Sequence, residues 1–116
     1  WTQKPSGHTA LLYGITFGKN LFIAIARGDS LMVSEDGETW REESTGNVTD
    51  LRSIAYGDNT FVAIGETGMI LVSADGKTWR EKISCTPKDF WGIKYGNNAF
   101  MSVGNYGMII QNSHLK

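Results

Sequence analysis

Leu51-Arg52-Ser53-Ile54-Ala55-Tyr56-Gly57-Asp58-Asn59-Thr60-Phe61-Val62-Ala63-Ile64-Gly65-Glu66-Thr67-Gly68-Met69-Ile70-Leu71-Val72-Ser73-Ala74-Asp75-Gly76-Lys77-Thr78-Trp79 is the stretch that decides the fold. It breaks at Gly57-Asp58-Asn59, Glu66-Thr67-Gly68 and Asp75-Gly76, residue types that supply the positive φ of tight turns. The runs between these turns predict strands over residues 51–56, 61–65, 69–73 and 78–82. No segment holds a 3.6-residue apolar period for three turns, so no helix is expected. Phe61-Val62-Ala63-Ile64 and Met69-Ile70-Leu71-Val72 are apolar on both faces. Such strands need protein above and below them.

The same reading recurs on either side at an offset of 39 residues. Trp1, Trp40 and Trp79 correspond, as do Leu12, Leu51 and Phe90, and Ile15, Ile54 and Ile93. Phe17-Gly18, Tyr56-Gly57 and Tyr95-Gly96 match, followed by Asn20, Asn59 and Asn98, then Phe22, Phe61 and Phe100, then Ile25, Ile64 and Val103. The first two copies, aligned without a gap, share 14 identities in 39 positions. Ordinary residue frequencies would give about two or three. A period of about 40 residues with four strands per unit is that of β-propeller blades. The fold class expected is therefore all-β, with four-stranded antiparallel blades and three 39-residue repeats at 1–39, 40–78 and 79–116 in one module, 1–116. A small Greek-key sandwich or barrel is the runner-up, but it would not require the 39-residue identities.

Two segments carry a motif: Ser34-Glu35-Asp36-Gly37-Glu38-Thr39-Trp40 and Ser73-Ala74-Asp75-Gly76-Lys77-Thr78-Trp79. They resemble the Asp-box of BNR-type propeller repeats, one residue shorter between Asp and Gly than its longest form. The wider pattern is similar to the WD40/YVTN/BNR-like group of bacterial and plastid proteins, which includes photosystem assembly factors. The resemblance places the box between the third and fourth strands, away from the usual binding face, and leans toward an extracellular or cell-surface setting. The box residues Ser34, Asp36, Gly37, Thr39, Trp40, Ser73, Asp75, Gly76, Thr78 and Trp79 are expected to be structural. A carboxylate before glycine accepts backbone N–H groups across a hairpin, the serine hydroxyl bonds locally, and the indole covers the turn.

In the third copy the Asp position is His114, the Gly position is Leu115, and the Trp position would be 118. Conversely, Trp1-Thr2-Gln3-Lys4 aligns with a fourth strand that has no blade of its own. The two defects are complementary. A half-propeller that exchanges end strands with a second copy, as a homodimer with a six-bladed ring, is the expected assembly. A fragment of a longer propeller and a nine-bladed ring of three copies are the alternatives.

Composition excludes several functions. Eleven Lys+Arg against twelve Asp+Glu give a formal charge of −1, so neither nucleic acid nor a membrane surface is an expected partner. One Cys and two His make a poor zinc inventory, and no cofactor or metal is expected. Asp-box propellers include sialidases, which grip a carboxylate with three arginines. Of Arg27, Arg41, Arg52 and Arg80, only Arg27 and Arg52 are expected near the axis, so no catalytic residue is assigned. Cys85 with His8 or His114 is read as a loop thiol beside surface imidazoles, and Asn47-Val48-Thr49 as a sequon relevant only on a eukaryotic secretory route.

Where the repeats disagree is more telling. The innermost strand carries Tyr13, Arg52 and Trp91 at one equivalent position, and Thr16, Ala55 and Lys94 at another. The turn between second and third strands carries Arg27, Glu66 and Asn105, with Asp29 opposite Gly68 and Gly107 and with Tyr106 beside them. Aromatic, cationic and amide groups at a propeller mouth suit a peptide, a protein loop or a sugar. A non-catalytic scaffold or recognition module follows; a structural segment of a larger Asp-box glycosidase and a carbohydrate-binding lectin are its rivals.

Overall fold

The computed structural model describes residues 1–8, 11–28, 30–46 and 50–112. Its strands form three antiparallel sheets in which spatial order follows chain order. The first holds β1 (Leu12–Gly18), β2 (Leu21–Ala26), β3 (Ser30–Ser34) and β4 (Arg41–Ser44). The second holds β5 (Leu51–Gly57), β6 (Thr60–Gly65), β7 (Ile70–Ser73) and β8 (Arg80–Lys82). The third holds β9 (Phe90–Gly96), β10 (Ala99–Gly104) and β11 (Ile109–Asn112). The first strands of the sheets, β1, β5 and β9, lie side by side, and the sheets fan outward from them as blades.

Lys19-Asn20, Asp58-Asn59 and Asn97-Asn98 turn the inner hairpins, every one of the six residues at φ between 48° and 62°. Two consecutive positive-φ residues are the type I′ pattern that matches strand twist. This corrects the role expected of Gly57, which does not take positive φ. A Cβ on Gly57 would run into the Tyr95 ring of the next blade, and one on Gly18 into the Tyr56 ring. Glycine is needed there for close approach.

Two further corrections concern turns. Glu66–Gly68 and Asn105–Gly107 are single 3₁₀ turns where no helix was expected, carrying Thr67 and Tyr106 at φ 56° and 61°. Met69 is spent closing the first of these, donating its N–H to the Glu66 carbonyl, so β7 begins at Ile70. Likewise Thr78 N–H is held by Asp75, and β8 begins at Arg80.

Two apolar clusters fill the junctions. Ile23, Ile25, Leu31 and Val33 pack with Leu51, Ile54, Phe61 and Leu71 between the first and second blades. Val62, Ile64 and Val72 pack with Phe90 and Phe100 between the second and third. The central blade is thus covered on both faces. Each outer blade leaves bare the face that its counterpart buries. Leu51 and Ile54 are 1% and 5% exposed, whereas Leu12 and Ile15 at the same positions are 46% and 59% exposed. Val62 and Ile64 are 2% and 1% exposed, whereas Met101 and Val103 are 38% and 49% exposed.

Candidate functional site

The mouth of the fan is built by a β-bulge repeated in every blade. Pairing between β1 and β2 skips Tyr13, that between β5 and β6 skips Arg52, and that between β9 and β10 skips Trp91. A bulge leaves its extra residue unpaired and re-aims its side chain. Here it turns three side chains from three blades toward one another. The Arg52 guanidinium carbon sits 5.0 Å from the centre of the Tyr13 ring and 5.2 Å from that of Trp91. A planar cation between two aromatic faces is held by the ring quadrupoles, each contact contributing about 0.5–1 kcal/mol where solvent reaches it.

The adjoining turns fasten this stack. Arg52 donates from Nη2 to Glu66 Oε1 at 3.1 Å, and the Trp91 indole N–H donates to Asn105 Oδ1 at 2.6 Å. Glu66 and Asn105 occupy the same repeat position, so one turn fixes the cation and the next fixes a ring. Arg52 Nη1 is buried without a hydrogen bond and lies 3.9 Å from Asp50 Oδ2. Tyr13 and Trp91 nonetheless remain substantially exposed, offering apolar surface beside a half-buried charge.

Of the residues expected at the mouth, Tyr13, Arg52, Trp91, Glu66 and Asn105 are brought together in this way. Arg27 is exposed and bonds through its backbone N–H to the Leu11 carbonyl, outside the stack. Tyr106 is exposed and meets Lys88, whose Nζ lies 4.9 Å from the ring centre. Lys94 lies farther along β9, on an axial groove of about 330 Å3 that Gly14, Thr16, Ser53 and Tyr56 also line. Asp29 lies outside the described residues. Sequence reasoning missed Asp50, Lys88 and Ser53, the last of which accepts from Ile93 N–H across two blades. Asp50 stands two residues before the mismatched position 52, and that closeness in sequence was the available signal.

The two box hairpins are near copies. Ser34 Oγ accepts from Gly37 N–H at 2.8 Å, and Asp36 Oδ1 accepts from Glu38 and Thr39 N–H at 2.8 and 2.9 Å. Ser73 and Asp75 repeat these bonds with Gly76, Lys77 and Thr78 at the same distances. The Thr39 and Glu38 amides hold the Asp36 carboxyl below its usual value of 3.8, and those of Thr78 and Lys77 do the same for Asp75. Gly37 and Gly76 supply φ of 76° and 79°. The Trp40 indole donates to the Gly37 carbonyl at 3.3 Å, whereas Trp79 Nε1 is buried without an acceptor.

The four arginines do not converge. Arg41 and Arg80 lie on the outer strands β4 and β8, Arg41 paired with Glu35 at 3.0 Å. Cys85 is exposed. Asn47-Val48-Thr49 and His114 lie outside the described residues. Among the described residues no group of His, Cys, Asp and Glu is placed to hold a metal, and no helix is long and apolar enough to cross a membrane.

Antiparallel blades whose inner strands lie side by side define a β-propeller domain. The chain belongs to the family of the DUF6242 beta propeller domain, whose model matches residues 1–102. No curated protein matches it significantly in sequence. Among solved structures it is similar in fold to YCF48 from Cyanidioschyzon merolae, with TM-score 0.80 and 22% identity over 100% of this chain and 41% of that one. It is likewise similar to YCF48 bound to D1 peptide, with TM-score 0.78 and 22% identity over 99% of this chain and 41% of that one. The chain thus spans about two fifths of the length of these neighbours.

Proposed function

We propose that this module is a non-catalytic recognition scaffold whose axial mouth binds an extended peptide or protein loop. The observation that carries the reading is the Tyr13–Arg52–Trp91 stack. Three blades contribute one side chain each, all three from bulges, and two polar turns hold the result. Half-exposed aromatic faces around an oriented cation are the anchor chemistry of protein-recognition surfaces. That a solved YCF48 structure contains a D1 peptide supports the choice of a peptide over a sugar. The repeats are of the Asp-box type in this reading, because a Ser and an Asp in each complete copy satisfy the hairpin amides. In this reading residues 1–116 act as one propeller module.

A library of random peptides, read by titration calorimetry on the folded chain, tests the mouth. Peptides that bind the native chain and lose at least tenfold in affinity in Arg52→Ala and Trp91→Ala, with far-UV circular dichroism unchanged, support the proposal. Retained binding in both variants overturns it, as does hydrolysis of aryl-glycosides by the native chain.

A further inference from the structure

The two turns that fasten the stack are themselves held from one place. Each begins on a carbonyl just ahead of its own blade's inner strand: Glu66 N–H donates to the Asp50 carbonyl at 3.0 Å, and Asn105 N–H to the Asp89 carbonyl at 3.1 Å. Arg27 N–H donates to the Leu11 carbonyl at 2.9 Å in the same way. Leu11, Asp50 and Asp89 are one position of the repeat, so this backbone bond asks nothing of the side chain. The side chains differ. Leucine has no acceptor, and Asp50 Oδ2 faces Arg52 Nη1 at 3.9 Å. Asp89 instead reaches across the junction, and its Oδ1 accepts from Thr67 N–H of the second blade at 2.8 Å.

Thr67 needs such a partner. Its φ of 56° lies in the left-handed region, where a β-branched residue is strained and persists only if its surroundings hold it. The side chain is exposed, so packing does not hold it; its hydroxyl donates to the Glu66 carbonyl inside the turn, and its N–H is left for Asp89. The next residue, Gly68, is buried against the connector between the second and third blades, where a Cβ would run into the Thr86 carbonyl. That connector is fixed from within. Ser84 Oγ donates to the Thr86 carbonyl at 2.6 Å, and Lys88 N–H donates to Thr86 Oγ1 at 3.1 Å. The turn is thus seated on a braced support, and a carboxylate on a backbone amide is the strong form of the hydrogen bond.

Asp89 therefore holds both turns at once. Through its carboxylate it fixes the turn whose Glu66 bonds Arg52 Nη2, and through its carbonyl it fixes the turn whose Asn105 bonds the Trp91 indole. The two side chains so carried are the pair that stack at 5.2 Å. Asp89 is half-buried and stands directly before Phe90, which is wholly buried, so the residue is itself anchored.

We propose that Asp89 is a positioning residue of the mouth: it ties a turn of the second blade to the third blade, and so sets Arg52 against Trp91 in the arrangement that a peptide meets. It acts through the two turns. The consequence for binding rests on the peptide reading above; the consequence for the stack does not. A site held to within about 0.5 Å by supporting hydrogen bonds loosens when one of them is removed, even where the fold survives.

The native chain, Asp89→Ala and Asp89→Asn, each with and without Trp91→Phe, test this. The Trp91 contribution to near-UV circular dichroism, read as the difference that Trp91→Phe makes, should be largely lost in Asp89→Ala. It should be kept in Asp89→Asn, whose amide oxygen still accepts from Thr67 N–H. By calorimetry, peptides that bind the native chain should lose about tenfold in affinity in Asp89→Ala and recover most of it in Asp89→Asn, with far-UV circular dichroism unchanged in both. Hydrogen exchange on the native chain, which needs no variant to fold, should show the Thr67 amide as protected as those of Glu66 and Asn105. A Trp91 signal and an affinity that both survive in folded Asp89→Ala overturn the proposal, as does a Thr67 amide that exchanges freely. A Trp91 signal lost equally in Asp89→Asn overturns it too, because the hydrogen bond is then not what positions the stack. If no peptide binds the native chain while the Trp91 signal follows the expected pattern, the peptide reading falls and the positioning of the stack stands.

Discussion

Leu51 and Leu12 hold the same place in two copies of one repeat, open the inner strands of two blades, and differ in what lies beside them. Leu51 is walled by the first blade and is 1% exposed, whereas Leu12 faces outward and is 46% exposed. Gly57 and Gly96 make the same point at the other end of their strands, one beneath the Tyr95 ring and one beneath nothing. The central blade therefore shows what the repeat needs, and the outer blades show what it lacks when a neighbour is absent. In a propeller a residue's energetic weight is set by the blade next door as much as by its own identity.

Paired substitutions break or sharpen this contrast, and the largest effect belongs to the leucines. Leu51→Ala should cost about 2–5 kcal/mol of unfolding free energy, the range for emptying a core leucine site. Leu12→Ala should cost under about 1 kcal/mol by urea titration, because most of the deleted surface is already wet. Equal losses would refute the contrast.

The glycines come next. Gly57→Ala should cost about 1–3 kcal/mol, since the Tyr95 ring must be displaced. Gly96→Ala should leave the urea midpoint within error, because a Cβ there meets nothing within 4 Å.

A smaller effect is expected at the mouth. Arg52→Lys keeps the charge but loses the planar group that lies between two rings, and should cost roughly 0.5–1 kcal/mol by thermal melting. It should also shift tryptophan emission in the native chain but not in a Trp91→Phe background, a difference that a purely distant structural change would not produce. A variant with both signals unchanged would show that the stack contributes nothing.

The smallest effect is in pH. Asp36 and Asp75 have carboxyls lowered in the folded state below 3.8, chiefly by the Thr39 and Thr78 amides. A depressed folded pKa stabilises the fold above the unfolded value, and that contribution disappears as pH falls through the folded one. Asp36→Asn and Asp75→Asn should therefore flatten the loss of melting temperature below about pH 4. The third copy, with His114 at the Asp position, has no such carboxylate to lose. An unchanged acid profile in the double variant would show that the hairpin carboxylates do not govern it.

The 39-residue period, the four-strand unit, the box hairpins and the five residues that meet at the mouth were all legible in the chain. Repetition makes this so: identical positions mark framework, and differing ones mark places released from it. The reason that Tyr13, Arg52 and Trp91 meet was not legible, because a β-bulge changes backbone pairing without a residue type that announces it. Nor was the role of Gly57, which looked like a turn residue and proved to be a seat for a ring carried 38 positions later. Periodicity and turn chemistry are local properties, and the order of residues suffices to specify them. Bulge direction, ring-on-glycine contact and the bare faces of the outer blades depend on what another blade places nearby, and only the tertiary structure decides that.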